Sequence, residues 1–148
     1  MSDLRDLYQE VVLDHGRHPR NFHPMESPDR QSVGFNPLCG DKLTLYLRYR
    51  DDILEDISFQ GVGCAISTAS ASLLTEVLKG KTRAEAETIL HEFVELLTSP
   101  GEADPERLGK LAVLAGVRDF PVRVKCATLA WRTLEAALAG NAAPASTE

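Results

Sequence analysis

Hydrophobic residues recur with a helical period at the start of the chain. Residues 3–15 carry apolar side chains three and four positions apart, which predicts an amphipathic helix that docks on the rest of the protein. The members of this stripe are Leu4, Leu7, Tyr8, Val11 and Val12. Gly16 and three prolines follow within residues 16–30, and they predict an extended crossing loop.

The next segment changes to a period of two. Residues 42–50 alternate between apolar and polar side chains, the pattern of a half-buried strand. Asp51-Asp52 supplies a turn, and residues 53–60 return as a second strand whose pattern is interrupted by Glu55. The predicted inward positions are Leu43, Leu45, Leu47 and Tyr49, then Ile53, Ile57 and Phe59. We predict an antiparallel hairpin, joined by a short strand near residues 32–36.

The second half of the chain returns to the helical period. Residues 67–79 predict a helix of small residues that ends at Gly80. Thr82-Arg83-Ala84-Glu85 is a capping box, which starts a second helix. The apolar stripe of that helix is Ala86, Ile89, Leu90, Phe93 and Leu97. Pro100-Gly101 is expected to end it.

Two further helices complete the predicted order. Asp104-Pro105 combines an N-cap with a proline at the first helical position, and the helix that it starts runs to Gly116. The last helix begins near residues 121–125 and continues to about Gly140. Its predicted inward positions are Ala127, Trp131, Leu134 and Leu138. An N-terminal helix, a small antiparallel three-stranded sheet and about four helices packed on one face predict an α+β fold.

Length and charge bound the class of protein. The chain has 148 residues and a net charge of −6, with 43 % apolar residues, as in an ordinary globular domain. We expect a single domain over residues 1–140 and a flexible tail at residues 141–148. No apolar run reaches the length of a membrane span and no signal-peptide pattern is seen, which predicts a cytoplasmic protein without a membrane partner. The acidic balance disfavours binding to nucleic acid.

The three cysteines carry the candidate chemistry. Cys39, Cys64 and Cys126 have glycine or charged neighbours, and Asp41 follows the first of them closely. Thiolates suit zinc or iron, and a carboxylate is a weaker and more exchangeable fourth ligand. In a reducing cytosol, three cysteines indicate metal binding or reactivity instead of disulfides. Taken singly, each is also compatible with a small buried side chain in the core.

The predicted helix starts bear on the reactivity of these thiols. We predict Cys64 at the start of a helix and Cys126 in the first turn of the last one, where the helix dipole would favour a thiolate. Arg123 and Lys125 add positive charge beside Cys126. They are candidate auxiliary residues of the site, although solvated charges would give the same pattern.

Three separated motifs make the chain resemble a known family. Residues 36–41 (NPLCGD), 61–67 (GVGCAIS) and 120–126 (FPVRVKC) resemble the motifs of the U-type iron–sulfur assembly proteins, the family of IscU, NifU and SufU. The segment from Leu7 through His15 to Asn21 is similar to the first helix and loop of that family. The resemblance covers roughly residues 4–138 and implies an α+β fold and a role in iron–sulfur cluster assembly.

The resemblance also implies the residues of the site. Cys39, Cys64 and Cys126 match the three essential cysteines of the family, and Asp41 matches the carboxylate that binds zinc or keeps a cluster labile. Lys125 occupies the position directly before the last cysteine, where the IscU scaffolds have a histidine. This departure, together with the long helical stretch between Cys64 and Cys126, resembles the SufU branch.

The SufU branch implies a zinc-dependent sulfurtransferase. Zinc would be held by all four donors, and a pyridoxal-phosphate cysteine desulfurase would hand a persulfide sulfur to the protein. A ligand from the partner would replace Cys39, which by resemblance is the mobile and catalytic cysteine. Arg123 and Lys125 would guide the incoming negative sulfur.

Two other functions stay open at this point. The same donors would suit a scaffold that assembles a labile [2Fe–2S] cluster from iron and passes it to downstream apo-acceptor proteins. A structural zinc module without chemistry is the third possibility. Whether the protein is an enzyme depends on whether sulfur passes through it catalytically.

Overall fold

The computed structural model describes residues 2–98, 108–118, 120–140 and 145–146. The helices are α1 (Ser2–Arg17), α2 (Ala65–Leu78), α3 (Arg83–Thr98), a 3₁₀ helix (Gly109–Val117) and α4 (Pro121–Leu138). The strands are β1 (Arg30–Asn36), β2 (Asp41–Arg50), β3 (Ile53–Val62) and the two-residue β4 (Ala145–Ser146). This order confirms the predicted α+β fold. None of the described helices is long and apolar enough to cross a membrane.

The sheet is an antiparallel meander with one short addition. Its strand order is β3-β2-β1-β4. Strand β2 pairs with both β1 and β3, and both pairings are antiparallel. Strand β4 pairs with β1 in parallel, opposite Gly34 and Phe35. The sequence patterns do not predict β4, which lies in the segment expected to be a tail. Helix α4 packs on β1 and β2, and α2 packs on β3.

The turn between β2 and β3 has the predicted place and the geometry that its residues favour. Asp51 and Asp52 have φ angles of 50° and 69°. Two successive residues in the left-handed region form the turn type whose twist matches an antiparallel hairpin, and aspartate tolerates that region better than most side chains.

The predicted inward face of β3 is wrong at its first residue. Ile53 is 39 % exposed, whereas Leu54 is fully buried. The pairing register shifts by one residue after Arg48, so Glu55 has no cross-strand partner. A bulge of this kind reverses which side chains face the core, because side chains alternate along a strand. Glu55 had interrupted the pattern for this reason.

Helix α2 forms the centre of the helical layer, between α1 and α4. Its small residues allow close polar contacts with α4: the Ser70 hydroxyl donates to the Ala127 carbonyl at 2.5 Å, and the Trp131 indole N–H donates to Ser70 Oγ at 3.1 Å. Trp131 is fully buried, as predicted, and stacks on Phe93 with 4.7 Å between ring centroids. These bonds satisfy polar atoms that burial would otherwise make costly.

The predicted capping box is present at the start of α3. The Thr82 backbone N–H donates to a Glu85 carboxylate oxygen at 2.9 Å, and the Glu85 N–H donates to the Thr82 hydroxyl at 3.1 Å. The bond to the Thr82 backbone lowers the pKa of the Glu85 carboxyl. The reciprocal bonds satisfy two helix-end N–H groups.

The third predicted helix is a 3₁₀ helix where it is described. Its predicted start, Asp104-Pro105, lies outside the described residues. The buried positions Leu111, Leu114 and Val117 are three residues apart. A 3₁₀ helix has three residues per turn, so it places all three side chains directly above one another on one face. In an α-helix, side chains three residues apart would be offset around the helix axis.

The buried face of α1 differs from the predicted stripe. Leu7 was predicted to face inward but is 43 % exposed, while Val12 and His15 are buried. The side chain of Leu4 lies outside the described residues. Ser72 Oγ on α2 accepts the Arg20 N–H at 2.8 Å and forms a hydrogen bond with His15 Nδ1 at 2.7 Å. His15 therefore docks α1 on α2 through this bond.

We expect His15 to make stability fall below neutral pH. Burial and Arg20 lower the pKa of His15, although Glu76, 4.0 Å from Nε2, opposes them. A histidine pKa that is lowered in the folded state contributes stability above its ordinary value of about 6.5, and that stability is lost as the pH falls. Urea unfolding between pH 7.5 and 5 should therefore show a steeper loss for the wild type than for His15→Gln. His91→Gln, at an exposed histidine of α3, is the control and should keep the wild-type slope. Equal slopes for His15→Gln and the wild type would contradict the assignment.

Candidate metal centre

Three distant segments bring the four predicted donors to one end of the sheet. Cys39 lies in the turn between β1 and β2, and Asp41 is the first residue of β2. Cys64 lies between β3 and α2, and Cys126 lies in α4. Gly40 has a φ of 72°, so glycine at this position lets the turn bend sharply between Cys39 and Asp41.

Cys39 and Cys126 form the closest pair of thiols. Their Sγ atoms are 3.3 Å apart, and an Asp41 carboxylate oxygen lies within 4.8 Å of both. Cys39 is exposed, whereas Cys126 and Asp41 are only 3 % and 1 % exposed. One donor is therefore open to solvent and two belong to the interior.

Cys64 approaches this group through Asp41. One Asp41 oxygen accepts the Cys64 backbone N–H at 2.9 Å, and the other lies 3.9 Å from Cys64 Sγ. As predicted, Cys64 starts a helix: it is the N-cap of α2, and its sulfur accepts the Ser67 N–H at 3.4 Å. A side chain at position 63 would lie 3.0 Å from the Asp41 carboxylate, so Gly63 leaves room for this contact. The Cys64 sulfur is not among the atoms that lie within 4.8 Å of one another.

The predicted setting of Cys126 is wrong in one respect. Cys126 is the sixth residue of α4, so it lies beyond the first turn, where the helix dipole acts. Burial, followed by the neighbouring Cys39, Cys64 and Asp41, raises the pKa of the Cys126 thiol in the metal-free protein. A bound cation would reverse this effect, since a coordinating thiol is deprotonated.

The predicted auxiliary residues, Arg123 and Lys125, precede Cys126 on α4. The Arg123 guanidinium lies over the ring of Phe120, 4.5 Å from its centroid, and Lys125 is half-buried. Tyr8 of α1, predicted only as a core position, also faces this region. Burial raises the pKa of its hydroxyl, Arg123 lowers it and the Cys64 charge raises it. The sequence carried no signal for this contact beyond the helical spacing of Tyr8.

The donor set fits a zinc or iron ion. Two thiolates on a tetrahedral zinc lie about 3.8 Å apart, given a zinc–sulfur distance of about 2.3 Å. The 3.3 Å between the Cys39 and Cys126 sulfurs is close to this separation, whereas the Cys64 sulfur lies outside the compact group and has to move further to share the same ion. Three thiols with one carboxylate are a borderline-soft donor set, which suits either metal.

Comparisons with known proteins place the chain in a family. A family model described as the NifU-like N terminal domain matches residues 7–127. The chain belongs to this family. The resemblance to U-type iron–sulfur assembly proteins is thereby confirmed.

Curated relatives of this NifU-like chain have two different descriptions. It is 38 % identical to "Iron-sulfur cluster assembly scaffold protein IscU" of Streptococcus pyogenes serotype M1, over 96 % of this chain and 89 % of the relative. It is also 38 % identical to "Zinc-dependent sulfurtransferase SufU" of Bacillus subtilis, over 93 % of both chains. Identity alone does not separate the scaffold from the sulfurtransferase.

A solved structure shares the fold of this NifU-like chain. It is a putative iron–sulfur cluster assembly scaffold protein for the SUF system from Fervidobacterium islandicum AW-1. The sequence identity is 35 %, the TM-score is 0.84, and the match covers 89 % of this chain and 96 % of the other. The fold of the whole described domain is therefore that of the family.

Proposed function

We propose that this chain works in iron–sulfur cluster assembly by accepting persulfide sulfur at a zinc site and passing it on. The ligands are Cys39, Asp41, Cys64 and Cys126, and the sulfur donor is a pyridoxal-phosphate cysteine desulfurase. The observation that carries the proposal is the exposed Cys39 thiol, which lies on a turn 3.3 Å from the buried Cys126 sulfur. The relative described as a zinc-dependent sulfurtransferase supports it.

The four donors differ in how firmly the fold holds them. Asp41 is fixed by the Cys64 N–H, Cys64 caps α2, and Cys126 is buried in α4. Cys39 alone lies in a turn and is exposed. When bound, zinc would hold the thiols as thiolates at neutral pH. Exchange of one ligand is easiest at Cys39, because its movement disturbs no helix or strand.

The transfer step needs no external oxidant or reductant. The Cys39 thiolate attacks the terminal sulfur of the desulfurase persulfide, and a new sulfur–sulfur bond forms at Cys39. The sulfur–sulfur bond within the donor breaks, and the donor cysteine leaves as a thiolate. The persulfide proton stays on the transferred sulfur, so charge and electrons balance. Arg123, which is exposed three residues before Cys126, would stabilise the negative charge that passes from Cys39 to the departing donor thiolate.

Four exposed apolar residues lie near the cysteines in the sequence. Leu38 and Val62 are 61 % and 79 % exposed, and Phe120 and Val122 are each about half exposed. Each of them lies close in sequence to one of the three cysteines. Apolar surface around an open site is typical of a protein-docking surface. We call these four residues the apolar rim, and this rim would seat the desulfurase over Cys39.

We expect Val62→Asp to weaken docking of the desulfurase. A charge at the centre of an apolar contact loses buried area and stays unpaired, which should lower affinity about 10-fold or more. Ile53→Asp is the matched control, because Ile53 is an exposed apolar residue at the opposite end of β3. Affinity is measured by titrating each variant into the desulfurase and following stimulated sulfide release. Equal affinities for Val62→Asp and Ile53→Asp would remove the rim from the docking surface.

The decisive experiment follows sulfide release by the desulfurase with cysteine and with this protein, either zinc-loaded or metal-free. The intact mass of this protein is read in parallel. The proposal expects stimulation only by the zinc-loaded protein and an added sulfur that maps to Cys39. If zinc inhibits or has no effect, sulfur transfer through a zinc site is wrong.

A cluster scaffold is the second candidate, and the relatives described as IscU scaffolds favour it. The same donors would bind a [2Fe–2S] cluster as cargo, and Asp41 would make it easy to release. Lys125, whose ammonium is a poor cluster ligand, argues against it. Reconstitution with iron and sulfide, followed by transfer of an intact cluster to an apo-acceptor, would favour the scaffold. If removal of zinc unfolded the chain and no partner activity were found, a structural zinc module would be favoured instead.

A further inference from the structure

We propose that Asn36 is a positioning residue of the metal centre. Its side chain holds the turn that carries Cys39 and donates a hydrogen bond to the Cys126 sulfur. It thereby decides that Cys126 stays in place while Cys39 exchanges. The inference rests on the proposed metal site and adds a residue that does not ligate the metal.

Asn36 holds the turn that carries Cys39 through hydrogen bonds to its backbone. Asn36 is the last residue of β1, is fully buried and pairs with Asp41 across the sheet. Its backbone carbonyl accepts the N–H groups of Cys39 at 3.2 Å and Gly40 at 2.9 Å. Its side-chain oxygen accepts the Leu38 N–H at 3.2 Å, the contact of an Asx turn. Asn36 therefore accepts hydrogen bonds from three successive backbone N–H groups of the turn.

The other end of the Asn36 amide faces Cys126. The Nδ2 atom lies 3.7 Å from Cys126 Sγ, within reach of an N–H···S hydrogen bond. The Leu38 N–H needs an acceptor, so the amide oxygen lies on that side and the NH₂ group must point to the sulfur. The bond from the Leu38 N–H thus orients the amide, and the NH₂ group then donates to the Cys126 sulfur.

A hydrogen bond to a metal-bound sulfur has two consequences. It withdraws charge from the sulfur, which makes that sulfur a weaker nucleophile, and it holds the ligand in one orientation. Among the described residues, the Cys126 sulfur receives this amide bond, whereas the Cys39 sulfur contacts the Cys126 sulfur. The more nucleophilic and less restrained thiolate is then Cys39, as sulfur acceptance at an exposed thiol requires.

Two substitutions separate the two roles. Asn36→Ser keeps a short side-chain oxygen that can accept the Leu38 N–H, but it is too short to reach Cys126. Asn36→Ala removes both contacts. Ser32→Ala is the matched control, because Ser32 is also buried on β1 and its hydroxyl has no hydrogen-bond partner in the described part of the chain.

The test loads each purified protein with cobalt(II) in place of zinc. The thiolate-to-cobalt charge-transfer band should shift to longer wavelength in Asn36→Ser, because a sulfur without the N–H bond gives up its electrons more easily. Competition with a chelator should show zinc affinity lowered about 10- to 100-fold, as for other outer partners of metal ligands. Asn36→Ala should show the same shift and a larger loss of affinity, while Ser32→Ala should match the wild type.

The outcomes distinguish this inference from the proposed function. If the wild type takes up neither cobalt nor zinc, the metal centre itself is wrong. If the wild type loads and Asn36→Ser has an unshifted band and unchanged affinity, only the role of Asn36 is wrong. A purely structural role would lower the urea midpoint of the metal-free protein without moving the band. Asn36→Ser retains the turn, so it carries the test even if Asn36→Ala fails to fold.

Discussion

Zinc-loaded Cys39→Ala protein is expected to accept no sulfur from the desulfurase and to give no stimulation of sulfide release. Cys39 is the exposed thiol of the three, whereas Cys64 is half-buried at the N-cap of α2 and Cys126 is buried in α4. Loss of the attacking thiolate should lower sulfur transfer about 100-fold or more. Intact mass after incubation with desulfurase and cysteine reads the adduct directly.

The control for this variant is Ile53→Ala, which changes an exposed apolar residue at the end of β3 away from the site and leaves the four donors in place. It should still carry a sulfur adduct at Cys39. Zinc content and urea midpoint of Cys39→Ala should show a folded protein, since an exposed side chain contributes little to the core. Normal sulfur acceptance by folded, zinc-loaded Cys39→Ala would overturn the assignment of Cys39.

The second large effect is expected at Asp41. Asp41→Asn keeps an oxygen for the Cys64 N–H but loses the charge, so it should weaken zinc binding while the fold stays intact. We expect the loss of affinity to be at least about 100-fold, above the range known for outer partners of a metal. Asp41→Ala also leaves the Cys64 N–H unpaired, which should cost a further 1–3 kcal/mol or so of unfolding free energy.

The variants Asp41→Asn and Asp41→Ala also distinguish the two candidate functions. Under sulfur transfer, both variants stimulate the desulfurase poorly because they hold little zinc. Under scaffolding, loss of the labile carboxylate should lengthen the lifetime of a reconstituted cluster, followed by its visible absorption. Unchanged zinc affinity in Asp41→Asn would show that the carboxylate is not a ligand.

Local patterns predicted most elements of the fold, and they failed where a neighbour outside the pattern intervened. The capping box at Thr82 and the aspartate turn at Asp51 need only adjacent residues, so both are found as predicted. Because of the bulge at Glu55, β3 buries Leu54 and not the predicted Ile53. Helix α1 likewise buries His15 and leaves the predicted Leu7 exposed. In each case the packing partner decided the face, and the spacing of apolar residues alone could not identify that partner.

The sequence by itself determined which four side chains are candidate ligands and the family in which they occur, because donor chemistry and short motifs belong to the residues themselves. Only the tertiary structure decided how unequal the four are. It placed Cys126 in the interior and Cys39 on an open turn, and it set Asn36 between them. Burial, orientation and hydrogen bonding to a sulfur arise from segments that are distant in the chain and meet only when β1, β3 and α4 pack together.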